Sequence, residues 1–278
     1  MTESLATTAA SAVPAGRSAS RSPAVEILRD IARGGFAGIL VGIIVAGLGG
    51  RLVMRLATIL HENTVGLATE NGELIGRISL NGTMALITFG GLGMGLLAGT
   101  IWVIVSPWIP GRGVRRAGVT ALAAIALGTP ALVQRFNPDF FILDHDPVVV
   151  MMLVALVGLV GFTIALVDGA LDRRLPHPAR WFTISTVVYV VVAGLGLLVL
   201  APVVSILMSQ SDYDAPIRAG WAIAATGVCT LAWWLLRVRG RPAPPRALRL
   251  VASLSLVVAV ILGVVTSLPN VLGAAGLT

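Results

Sequence analysis

Two arginines four residues apart, Arg51 and Arg55, stand in an otherwise apolar run and are the residues best placed to do chemistry. On a helix that spacing puts both guanidiniums on one face. Paired guanidiniums offer bidentate recognition of a carboxylate or a phosphate. Charge inside a membrane span is costly and marks function by default, but an arginine in the outer third can snorkel to the headgroups. Two readings follow: an anion or lipid-headgroup site, or arginines that snorkel or pair with nearby acids.

A second dense stretch runs from Arg135-Phe136-Asn137-Pro138-Asp139-Phe140-Phe141 to Asp144-His145-Asp146. Asn137-Pro138-Asp139 reads as a turn, and the two phenylalanines suit a membrane interface. Arg135 and Asp139, with Arg77 on another connection, join Arg51 and Arg55 as candidate ligand-binding residues. His145 with Asp146, and His61 with Glu62, carry ligands that hard or borderline cations accept. Their spacing matches no metal motif, so the reading is no metal: solvated loop charge, or acids pairing with Arg51, Arg55 and Arg77. A third group, Asp168-Gly169-Ala170-Leu171-Asp172-Arg173, resembles the alcohol phosphotransferases of phospholipid synthesis only in its Asp-Gly start. Asp172 stands where those enzymes have Ala, and no later Asp follows at the right distance. It reads as a helix end with flanking charge.

Other chemistries lack their residues. All 20 basic residues are Arg, so no lysine is available for a retinal Schiff base. No histidine falls within a span, which argues against bis-His haem. No Asp, Glu or Arg falls near a midplane, which argues against ion coupling. Cys229 is the only cysteine and lies mid-run, as a small buried hydrophobe would. The expectation is a non-enzymatic protein without cofactor.

The elements that must position these residues are membrane helices. Mean hydropathy is +0.92, with 56% hydrophobic and 12% charged residues, where a soluble domain has about a quarter charged. Seven apolar runs read as spans over roughly 35–57, 83–106, 116–134, 147–168, 182–207, 218–236 and 249–268. The third is Ala-rich and interrupted by Gly128, Thr129 and Pro130. Fifteen of the 20 arginines fall in the N-terminal tail and every second connection, whereas eight of the 13 acids fall in the others. By the positive-inside rule this places the N-terminus inside and the C-terminus outside. Omitting the third span would put later arginine-rich connections outside. The pI near 11.3 is thereby explained with no nucleic acid; anionic headgroups of the inner leaflet are the expected contacts.

The predicted architecture is all-α. Residues 1–23 form a disordered cytoplasmic tail, 24–33 an interfacial helix, 34–270 a membrane domain and 271–278 an external tail. Thr69-Glu70-Asn71-Gly72-Glu73, followed by period-two alternation to Leu80, predicts an external β-hairpin between the first two spans. Gly91, Gly95 and Gly99 on the second span, and Gly38 and Gly42 on the first, have the spacing that lets helix backbones approach closely in lipid. They predict packing within the chain or, as the alternative, a homo- or hetero-oligomer face.

The segment Gly49-Gly50-Arg51-Leu52-Val53-Met54-Arg55, the run Ile75-Gly76-Arg77-Ile78 and Asn137-Pro138-Asp139-Phe140 together resemble uncharacterised polytopic membrane proteins of high-GC Gram-positive bacteria. The resemblance covers roughly residues 35–170. It implies a bacterial plasma membrane and that Arg51, Arg55 and the outer segments act as a unit; it implies no mechanism. The sequence leads to a scaffold, assembly or sensory subunit. The alternatives are a binder or translocator of an anionic or lipidic ligand at the outer leaflet through Arg51 and Arg55, and an enzyme with an outer acidic site.

Overall fold

The computed structural model describes residues 22–67, 75, 80–176, 184–208 and 217–277. The expected tail up to residue 21, most of the expected hairpin and Arg77 lie outside them. All regular structure among the described residues is helical, and six helices are long and apolar enough to cross a membrane.

The first helix, α1 (Pro23–Leu60), runs 38 residues without a break. Pro23 opens it, where a missing N–H costs nothing. Residues 24–33 are therefore the first turns of the spanning helix and not a separate interfacial piece. Packing explains this: Leu28, Ala32 and Phe36 lie against Tyr189 and Val192 of a later helix, which hold the chain in line through Gly34 and Gly35. Helix α2 is built from Leu80–Ala85, Leu86–Gly93 and Met94–Val105. In both helices one stretch, Gly42–Leu48 and Leu86–Gly93, is wound as a π-helix, and the two stretches face each other.

The glycines explain the contact between α1 and α2. A Cβ at Gly38 would collide with the Gly95 carbonyl oxygen and the Gly99 backbone. One at Gly42 would collide with the Gly91 carbonyl and the Gly95 Cα. Backbone therefore lies on backbone, the small-residue packing that dispersion favours in lipid. The stripe Gly91, Gly95, Gly99, offered above as an oligomer face, is occupied by α1 of the same chain.

Helix α3 (Gly113–Leu132) lies antiparallel along α5 (Pro147–Arg174), with the short α4 (Pro138–Ile142) between them. The pairing runs from Arg116 near Asp168, through Thr120 and Ala124 against Gly161 and Gly128 against Val157, to Val133 and Val150 in one apolar cluster. Helix α3 is not among the six long apolar helices, and it contains Pro130. Proline lacks the N–H that would bond the carbonyl four residues back, that of Ala126. That carbonyl accepts a hydrogen bond of 2.8 Å from Ser267 Oγ, and Gly263 sits against the same oxygen. Both residues belong to α8 (Arg246–Ala274), so a neighbouring helix satisfies what the proline frees. Helices α6 (Ile184–Met208) and α7 (Ile217–Val238) complete the bundle, with α1 touching α2, α5, α6 and α7. The largest apolar cluster gathers Trp102, Trp108, Ala117, Ile164, Leu256 and the buried Cys229.

Candidate functional site

The two ends of the bundle differ in chemistry. At the arginine-rich end, α1 carries Arg29 and Arg33 four residues apart, and α5 carries Asp168 and Asp172 at the same spacing. Each pair shares a helix face, and the two faces meet. Arg29 Nη1 lies 2.9 Å from Asp172 Oδ1, and its Nη2 donates to the Asp172 carbonyl at 2.6 Å. Arg33 Nε donates to Asp168 Oδ1 at 2.7 Å, and Arg33 Nη1 to Asp172 Oδ1 at 2.5 Å. Arg116 of α3 approaches Asp168 Oδ2 at 3.9 Å and donates to the Ser106 carbonyl. From α7, Arg237 Nη1 reaches Asp30 Oδ2 at 2.9 Å and Nη2 reaches Glu26 at 3.4 Å. Four guanidiniums thus face four carboxylates across α1, α3, α5 and α7.

Burial makes the network costly to break. Asp168 is 2% exposed and Arg29 is 5% exposed. A carboxylate taken so far from water stays charged only if its oxygens are met by cations or donors. Both Asp168 oxygens face a guanidinium. Indole rings extend the network: the Arg116 guanidinium lies 4.9 Å from the Trp102 ring centre and that of Arg237 lies 5.1 Å from Trp233. Trp108 crosses Trp233 edge to face and donates from Nε1 to Thr230 Oγ1 at 2.8 Å.

Between these helices lies a cavity of about 100 Å³, bordered by Arg33, Trp102, Ser106, Arg116, Asp168 and Trp233. Three buried donors on its lining residues, Trp102 Nε1, Trp233 Nε1 and Arg116 Nε, make no hydrogen bond among the described residues.

The residues singled out by sequence are mostly at the opposite end. Arg51 donates to Thr83 Oγ1 at 2.5 Å, tying α1 to α2, while Arg55 is exposed. Arg77 is outside the described residues. Arg135 is exposed with its guanidinium over its neighbour Phe136, and its backbone N–H donates to Asn270 Oδ1 at 3.4 Å. Asn137 caps the short helix α4 through Asp139 N, so the predicted turn opens a helix. The four weak metal candidates do not converge. His61 Nε2 meets Asp146 Oδ2 at 2.9 Å, His145 Nδ1 meets the Ala274 carbonyl at 3.2 Å and Glu62 is exposed. No group of three or more metal-binding side chains exists among the described residues. Asp144 and His145 both adopt left-handed backbone, at φ 52° and 53°, a conformation Asp and His tolerate better than most residues. At the hairpin position, Gly66 N and Ile75 N donate to the carbonyls of Ile75 and Leu67, both at 2.9 Å.

The sequence reading missed the arginine-rich network. Its signal was present: Arg29 and Arg33 repeat at the spacing that drew attention to Arg51 and Arg55, and Asp168 and Asp172 repeat it with opposite sign. No family model, no curated protein and no solved structure matches the chain.

Proposed function

We propose that the chain is a seven-span protein of a bacterial plasma membrane, N-terminus inside and C-terminus outside. In this reading it acts as a non-enzymatic scaffold, assembly or sensory subunit tied together at its cytoplasmic face. The arginine-rich end is the inner end by the positive-inside rule. What supports α3 as the seventh span is its antiparallel course along α5, from Asp168 to Val150, with its proline-freed carbonyl satisfied by α8.

The observation that carries the functional reading is the engagement of Asp168. It is the most buried carboxylate of the network, and both its oxygens face arginines from other helices. A carboxylate so occupied joins helices; it is not poised to exchange protons with a substrate. Asp168→Asn leaves Arg33 and Arg116 buried and undercompensated, which costs roughly 3–5 kcal/mol when one partner of a buried pair is removed. The expected result is a large drop in melting temperature of detergent-purified protein, partly restored by adding Arg33→Gln. An unchanged melting temperature would mean the carboxylate is held for chemistry, and the scaffold reading would fail. The reading of an anionic or lipidic ligand held by Arg51 and Arg55 stays second, because Arg51 already donates to Thr83.

A further inference from the structure

We infer that the inner cavity is a binding site for a phosphate-class oxyanion, held by Arg116 Nε and the indole N–H groups of Trp102 and Trp233. The unsatisfied atoms on its lining residues belong to one class. All three are N–H donors on residues bordering the same space, and each is buried without a hydrogen bond among the described residues. A buried donor without an acceptor is costly, so native proteins rarely keep three together. The missing partner must bring several acceptors and needs no donor, which describes a tetrahedral oxyanion. The cavity of about 100 Å³ admits one.

The surrounding charge sets the ligand's charge. The carboxylates bordering the space, Asp30 and Asp168, are covered: Asp168 by Arg33 and Arg116, Asp30 by Arg237 and Arg33. They cancel the arginines without presenting free lone pairs to the guest. A near-neutral pocket with donors favours a singly charged group, such as a phosphodiester or dihydrogen phosphate, over a multiply charged one. Arg116 is held in place by stacking on Trp102 and by donating to the Ser106 carbonyl, so its free edge is preorganised. Tryptophan and arginine at the end of a bundle also sit at headgroup depth. The same chemistry therefore suits an inner-leaflet phospholipid or a free phosphate from the cytoplasm.

The test uses the full chain in a maltoside detergent, which carries no phosphate. Inorganic phosphate and short-chain phosphatidylglycerol are titrated separately, with binding read by tryptophan emission and native mass spectrometry. Wild type is expected to bind at least one probe saturably. Trp102→Phe/Trp233→Phe should weaken that binding at least about tenfold, a loss of one charged-acceptor hydrogen bond or more. Trp221→Phe, an exposed indole outside the cavity, should match wild type. Helical circular dichroism and monodisperse elution confirm folding, and Trp233→Phe alone replaces the double variant if that fails. Phosphate binding would assign a free oxyanion; binding of phosphatidylglycerol alone would assign a lipid headgroup. Absence of binding by both probes, or binding unaffected by the indole substitutions, overturns the proposal and leaves water as the donors' partner. The Asp168→Asn melting experiment is independent of either result.

Discussion

At the scale of single residues, polar groups here work as ties between elements distant in sequence. Asp146 shows how one side chain serves two. Its Oδ1 accepts from Val148 N, capping α5, while Oδ2 meets His61 at the far end of α1. Asp146→Ala loses both, and loss of a cap alone costs roughly 1–2 kcal/mol. Asp146→Asn keeps an oxygen for the cap and can still hydrogen-bond His61. The expected order of melting temperatures is wild type, then Asn close below it, then Ala clearly lower. An Ala variant that melts with wild type would show that the cap contributes nothing. The same economy made these residues hard to read from sequence. Asp168 and Asp172 look like ordinary charge at a helix end until Arg29 and Arg33, more than a hundred positions away, are brought onto them.

At the scale of elements, the bundle is decided by what lies between backbones. Gly38→Ala is expected to force α1 and α2 apart, because the new methyl meets main-chain atoms that no rotamer change can move. Overpacking of this kind costs about 1–3 kcal/mol or more. Gly118→Ala in α3 meets nothing within 4 Å and gains helix propensity, up to about 1 kcal/mol. Melting curves of the two variants should therefore shift in opposite directions. The glycine spacing was readable from sequence because it repeats on one helix face. The π-wound stretches Gly42–Leu48 and Leu86–Gly93 were not, because an extra residue per turn leaves no mark in an all-apolar run. The long inner end of α1 was hidden for a related reason. Arg29, Asp30 and Arg33 look like a boundary, yet they are satisfied sideways by α5 and α7, so the helix continues through them.

At the scale of the molecule, alternation of charge carries the orientation. Cys229 is the only cysteine, so a Cys229→Ala background leaves no thiol. Single cysteines at Val65 and Phe136 should then react with a membrane-impermeant maleimide added to intact cells. Cysteines at Arg112 and Arg239 should react only after the membrane is opened. Labelling of Arg112→Cys and Phe136→Cys from the same side would remove α3 as a span. This global pattern was legible because loop charge acts one segment at a time and needs no tertiary contact. The ion-pair network and its cavity were not, because they depend on which helices become neighbours. The glycine contact between α1 and α2 also bears on biogenesis. It uses main-chain atoms from two helices adjacent in the chain, so it is complete once both have entered the bilayer. Arg29 and Arg33 must wait for Asp168 and Asp172, and Asp30 for Arg237, all made later. Assembly thus proceeds from dispersion to charge: a backbone-zipped hairpin inserts first, and the carboxylates of α5 and the arginine of α7 close it at the cytoplasmic face.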